Sequence, residues 1–323
     1  MSDKTFDFLL APIRPGDPIE LAGRKVVAGL FKGMEEREEG TKKGENIEDL
    51  HRMRVFIRRM RVCLRTFKPV YGNEYVQSMT SGLKQIADLL GEVRDIDVFV
   101  DFLRNCESAM PKDIVPAAEI LIETRLAMRE KGLKKIQTEL DGSAFQQWKD
   151  RFREQLAKGS PTVSDRRNVH SSLPEMILSA YGVVLSYRNR VDGAPSSTLH
   201  ELRICNKRFR YLCESFQDCF DERMAAIVKD LKQLQDLLGD IQDKNRDIQS
   251  IENNISELTA GAKNRKKEDS LKSLLQLVKK KETKARRAFF AFWKKFALEE
   301  NEDRLRYIIR HAMKSEKLSP KQP

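Results

Sequence analysis

The chain has 323 residues, 40% hydrophobic and 34% charged, which supplies core material for one large domain or two of ordinary size. Lys and Arg number 60 against 49 Asp and Glu, a net charge of +11 that points to an anionic partner. No 18-residue apolar run occurs, which excludes a spanning helix, and the first ten residues lack the apolar stretch of a signal peptide. The five cysteines include no C-x-x-C pair, and Cys63, Cys205 and Cys213 fall on apolar helix faces. That pattern suits small core residues in a reducing cytoplasm.

Low Gly and Pro with abundant Leu, Ala, Lys, Arg and Glu predict an all-α protein. After an unstructured start, Pro18 to Glu38 reads as an amphipathic helix, with Pro18 in its first turn. Gly40 to Asn46 reads as a loop, and a basic helix from Leu50 is stopped by Pro69 and Gly72. Helices follow over about Glu74–Asn105, Ile114–Leu140 and Phe145–Leu156, with a break at Met110-Pro111. Gly159 to Ser172 is polar and reads as a linker, so the chain divides into residues 1–160 and 161–323. Beyond it the order restarts. Helices are predicted over Leu173–Val191, a second basic segment at 199–216, Glu222–Leu258, and one from Asn264 carrying Phe289, Trp293 and Phe296. Glu302–Met313 is a last helix, and Lys314 onward a frayed tail.

The two basic segments carry the functional signal. At about 100° per residue from His51, Arg54, Arg58, Arg61 and Arg65 fall at roughly 300°, 340°, 280° and 320°. Met53, Phe56, Ile57, Met60, Cys63, Leu64 and Phe67 occupy the opposite side. One face packs; the other is a cation column about 20 Å long. Like charges at these spacings repel by a few tenths of a kcal/mol per pair, a cost that an anion lying along the helix removes. A solvated surface face is the plainer reading of one such helix. The pattern occurs twice, however: His200, Arg203, Lys207 and Arg210 repeat the spacing of His51, Arg54, Arg58 and Arg61.

The next helices repeat as well, Leu83 to Asp95 aligning with Leu231 to Asp243 through a shared Asp-Leu-Leu-Gly core. Two matched helices in the same order indicate an internal duplication, each half a bundle of about four helices. Lys84, Gly91, Arg94 and Asp95 share one side of their helix, as do Lys232, Gly239, Asp243 and Arg246. Gly91 and Gly239 either admit the basic helix or a ligand closely, or serve ordinary helix packing. Asp95 and Asp243 are placed to hold neighbouring arginines in fixed rotamers. A second cation row is supplied by Arg125 and Arg129 in the first half and by Lys280, Lys284 and Arg287 in the second, where the lysine run serves equally as a solvated face.

Together, His-x-x-Arg-x-x-x-Arg-x-x-Arg at His51 to Arg61, its copy at His200 to Arg210, and the Leu-Leu-Gly-x-x-x-Asp segments at Leu89 to Asp95 and Leu237 to Asp243 resemble the CHAD family, the conserved histidine α-helical domain. The resemblance runs from about Leu21 to Met313. It implies two four-helix bundles related by a pseudo-two-fold axis and facing each other across a basic cavity. It also implies inorganic polyphosphate as ligand and association with polyphosphate-rich granules. Lys207 for an arginine, Gln242 opposite Arg94 and Glu214 opposite Arg65 depart from the first copy, and imply weaker binding by the second half. The family domain is often fused to a triphosphate-hydrolysing module marked by a Glu-x-Glu-x-Lys strand; nothing before Leu50 resembles it, which implies the stand-alone form.

No Walker loop, Gly-x-Ser-x-Gly elbow or His-Glu-x-x-His helix occurs, so a non-enzymatic binder without cofactor is expected. Neither His51 nor His200 has a His, Cys or carboxylate at i+3 or i+4, which disfavours metal ligation. Polyphosphate carries dense charge and no bases, so it needs arginine forks and lysine point charges and nothing to stack on. Nucleic acid ranks second, because aromatics are only 7% and fall on apolar faces. A helical scaffold for an acidic protein is the third reading.

Overall fold

The computed structural model describes residues 2–106, 115–261 and 265–311. Within them every regular element is a helix, joined by turns and loops, with one isolated bridge between Pro18 and Asn168. Two compact units divide at Leu173–Pro174.

The first unit holds α1 (Ser2–Leu9), α2 (Ile19–Glu35), α3 (Glu38–Lys43), α4 (Ile47–Thr66), α5 (Lys68–Tyr71), α6 (Asn73–Cys106), α7 (Val115–Asp141) and α8 (Ser143–Lys158). Helix α4 packs between α2 and α6, α7 packs against α6, and α8 returns onto α1 and α2. The apolar stripes predicted from the sequence close the core: Met53, Ile57, Met60 and Leu64 are fully buried, as are Phe31, Leu83 and Leu90. Each such side chain contributes about 1.5–3 kcal/mol on leaving water. Phe31 stacks on Phe152 at 4.8 Å, which ties α8 to α2.

Three stretches differ from the sequence reading. The start is helical, because Phe6 and Leu9 are buried and Phe6 meets Phe31 edge-on at 6.0 Å. Residues 38–43 form a helical turn instead of a loop, held by the buried Lys149–Glu38 ion pair at 2.7 Å. The polar stretch after Gly159 lies along the first unit: the backbone N–H groups of Ile19, Ser164 and Val169 donate to Arg167, Val70 and Asp17 at 2.9–3.2 Å. The division therefore falls within α9 (Val169–Leu185) and not at 160/161.

The second unit continues with α10 (Ser196–Ser215), α11 (Arg223–Gly261), α12 (Arg265–Phe296) and α13 (Glu299–His311), with a 3₁₀ turn at Gln217–Cys219. Helix α11 is its centre, packing against α10, α12 and α13. Tyr181 of α9 reaches Phe209 of α10 at 5.6 Å and Phe296 of α12 at 6.3 Å. Among the described residues no helix is long and apolar enough to cross a membrane. The predicted break at Met110-Pro111 and the tail from Lys314 lie outside the described residues.

Candidate functional site: the basic faces of α4 and α10

Helix α4 begins on an Asn46 cap whose side-chain oxygen accepts from the Glu48 N–H at 3.0 Å, and Glu48 and Asp49 complement the positive end of the helix. With Leu50, Met53, Ile57, Met60, Cys63 and Leu64 buried, the opposite side necessarily carries His51, Arg54, Arg58, Arg61 and Arg65. His51 and the first three arginines are half-buried and Arg65 is exposed. Long arginine stems cover apolar surface while the guanidinium groups stay at the rim.

Among the described residues, no carboxylate lies within ion-pair distance of Arg58, Arg61, Arg65 or Arg94. The Nε donors of Arg58 and Arg61 are buried without an acceptor. Crowding leaves its mark on the titrations. Burial first, then Arg65, disfavour the charged form of Arg61, with Asp88 opposing and Arg54 adding. Burial first, then the Arg94 guanidinium of α6, push the His51 pKa below its ordinary value; Glu48 opposes, and Arg58 and Arg54 add to the depression. Both effects favour the neutral imidazole.

Arg54 is fixed. Its Nη1 donates to the carbonyl oxygen of Ala87 on α6 at 2.9 Å. A Cβ built on Gly91 would lie 2.5 Å from that same nitrogen. Lys84 is exposed on α6. Arg125 of α7 stacks over the Phe99 ring at 5.0 Å. Arg129 is committed elsewhere: its Nε donates to the buried Asp97 at 2.5 Å and an Nη reaches the Gly44 carbonyl at 3.4 Å. Arg129 thus braces α7 against α6 and the α3–α4 turn, and is no free phosphate contact. The rotamer-fixing role expected of Asp95 belongs to Asp97, since Asp95 is exposed and pairs with no arginine among the described residues. Asp97 was missed because only its burial against α7 distinguishes it from the other carboxylates of α6.

In the second unit, α10 presents His200, Arg203, Lys207 and Arg210, of which His200 is exposed and the others half-buried. His200 Nδ1 lies 3.0 Å from Gln242 Oε1, where the ring N–H donates to the amide oxygen. Arg210 pairs with Glu214 at 3.3 Å and stacks on Tyr211 at 4.9 Å. Asn206, in the place of Ile57, is fully buried and donates to the Leu231 carbonyl and Gln235 Oε1 at 3.0 and 3.1 Å. Arg246 pairs with Asp243 at 2.8 Å, as expected of that aspartate. Lys232, Lys280, Lys284 and Arg287 are exposed, the last three on α12. Among the described residues no three His, Cys, Asp or Glu side chains gather where they could hold a metal ion.

An all-helical chain in which a cationic helix lies on a glycine-bearing neighbour is a helical domain with a built basic face. Residues 25–251, more than half of the chain and inclusive of both motifs, match the CHAD domain, and the chain belongs to that family. The structure is similar to that of the CHAD domain from the plant Ricinus communis, at 17% identity and a TM-score of 0.71, covering 88% of this chain and 94% of that one. It is also similar to PptA from Streptomyces chartreusis, at 14% identity and a TM-score of 0.66, covering 86% of this chain and 100% of that one. At these identities the likeness bears on the fold alone. No curated protein matches the chain.

Proposed function

We propose that the chain binds inorganic polyphosphate without hydrolysing it. The contact set is His51, Arg54, Arg58, Arg61 and Arg65 of α4 with Lys84 and Arg94 of α6. A second, weaker set is His200, Arg203, Lys207 and Arg210 of α10 with Lys232 of α11. The observation that carries this reading is that Arg54, Arg58 and Arg61, half-buried along one face of α4, have no carboxylate at ion-pair distance among the described residues. Such a row opposes folding by self-repulsion and is relieved by a dense, linear anion. Guanidinium forks match phosphate oxygens, and the face offers no exposed aromatic platform for bases. Arg129, locked onto the buried Asp97, and Arg246, paired with Asp243, stand outside the contact set, and the Glu214 partner of Arg210 is one reason the second set is the weaker.

The two units are read as copies of one bundle, by the matched α4–α6 and α10–α11 sequences. The setting is a cytoplasm, with polyphosphate granules as the place of action; Cys63, Cys205, Cys213 and Cys219 are all free thiols, as a reducing compartment requires. A titration with labelled long-chain polyphosphate, competed by duplex and single-stranded DNA at fixed salt, tests the reading. Polyphosphate should displace DNA at equal charge concentration, and DNA should not displace polyphosphate. Equal competition by both polymers would replace the proposal with a general polyanion binder. Orthophosphate release by the purified chain with Mg²⁺ would overturn the non-enzymatic assignment.

A further inference from the structure

Gly91 lies buried inside α6, a 34-residue helix in which glycine weakens the backbone for no evident local reason. Ordinary close helix packing would place backbone or apolar carbon against it. Instead, the three atoms nearest a Cβ built there all belong to the Arg54 guanidinium: Nη1 at 2.5 Å, Cζ at 3.5 Å and Nη2 at 3.8 Å. Helical geometry joins this to the Arg54 hydrogen bond. The Ala87 carbonyl, which accepts Arg54 Nη1 at 2.9 Å, is also the i−4 acceptor of the Gly91 N–H. An arginine reaching that oxygen from outside must therefore pass beside residue 91. A side chain there would close the passage.

We infer that Gly91 is a positioning residue for the polyphosphate face: its missing side chain lets the Ala87 carbonyl anchor Arg54, so that the guanidinium is held in one orientation. One N–H is used in the anchor, and the remaining donors stay in the column with His51, Arg58 and Arg61. A preorganised fork loses less rotamer freedom when it meets phosphate than a mobile one does. The inference rests on the polyphosphate reading for its function but not for its geometry.

The test compares Gly91→Ala with Gly29→Ala, an exposed α2 position where a new Cβ meets nothing within 4 Å. Gly91→Ala should leave the melting temperature unchanged or higher, because the obstructing atoms are the tip of a flexible side chain, yet weaken long-chain polyphosphate binding about fivefold to tenfold. Gly29→Ala should raise stability and leave binding alone. In an Arg54→Ala background, Gly91→Ala should have no further effect on affinity. Unchanged affinity for Gly91→Ala, or an equal loss with and without Arg54, overturns the inference. If the wild-type chain does not bind polyphosphate, the functional proposal is what fails. Guanidinium rotation of Arg54, followed by NMR, then decides the positioning alone: slow in the wild type and fast in Gly91→Ala if it is right, identical in both if it is wrong.

Discussion

In the α4–α6 pair, Arg61 sits beside Arg65, and Arg94 crowds His51 from the neighbouring helix. In the α10–α11 pair the corresponding positions are filled by Glu214, which pairs with Arg210, and by Gln242, which hydrogen-bonds His200. The same difference runs through the helix contacts. Arg54 is clamped onto the α6 backbone over Gly91, whereas a Cβ on Gly239 would meet only Arg203 Nε, at an ordinary 3.8 Å. Where α4 buries Ile57, α10 buries Asn206 and uses it to bind α11. One pair stores uncompensated charge on a prepared face; the other sets Glu214 against Arg210 and spends polar groups on holding its own helices together. A repeated sequence motif therefore need not be a repeat of the site.

The largest effect expected from this difference is on affinity. Arg58→Ala with Arg61→Ala should weaken polyphosphate binding by about a hundredfold at low salt, taking roughly 1–1.5 kcal/mol for each half-buried charge-assisted contact. Arg203→Ala with Lys207→Ala should cost about tenfold or less. Fluorescence polarisation with labelled long chains measures both, and equal losses would erase the functional difference between the two pairs. The reciprocal change is Glu214→Arg, which removes the partner of Arg210 and restores the charge that Arg65 supplies in α4. It should tighten binding by about threefold to tenfold, with a steeper salt dependence. No gain would mean that α10 takes no part in binding.

The column of arginines was legible in the sequence because a 3.6-residue period sorts His51, Arg54, Arg58 and Arg61 from Met53, Ile57 and Met60 without any knowledge of the fold. What faces the column was not. Asp95 and Asp97 are two residues apart, about 200° around the helix. Their roles are decided by the position of α7, which no local pattern reveals. The stretch after Gly159 has the composition of a linker, yet its backbone groups find partners at Asp17, Val70 and Pro15, far away in sequence. The N-terminal helix depends likewise on Phe6 finding Phe31. Propensity and periodicity carry local information; burial and long-range pairing come from the packed chain.

A smaller effect concerns protons. The His51 pKa is lowered in the free protein by burial and by Arg94. Bound phosphate adds negative charge beside the ring and must raise that pKa, so binding takes up a proton. Polyphosphate affinity should accordingly increase as pH falls through the interval between the bound and free values, and be flat above it. Stability of the unliganded chain runs the other way. A folded-state pKa below the unfolded value means that the unfolded chain binds more protons, so stability declines as pH drops below about 6.5. His51→Gln should flatten both profiles. A calorimetric titration in buffers of different ionisation enthalpy would show proton uptake directly, and long chains keep the titrating terminal phosphates few. Uptake that persists in His51→Gln would assign the proton to another group.

The smallest predicted change isolates the two glycines. Gly239 is inside α11, half-exposed, and among the described residues no atom outside its own helix backbone lies closer than 3.8 Å to the position of a Cβ. Alanine there gains about 1 kcal/mol of helix propensity and displaces nothing. The melting temperature should therefore rise by roughly 2–3 °C for a chain of this size. At Gly91 the same gain is offset by the loss of the Arg54–Ala87 hydrogen bond, worth about 1 kcal/mol, so the two substitutions should separate in stability although both are Gly to Ala inside a long helix. A Gly239→Ala protein that melts at the wild-type temperature or below would show that α11 uses its glycine as α6 does, and that the structural difference between the two pairs does not extend to the energetics of their helix contacts.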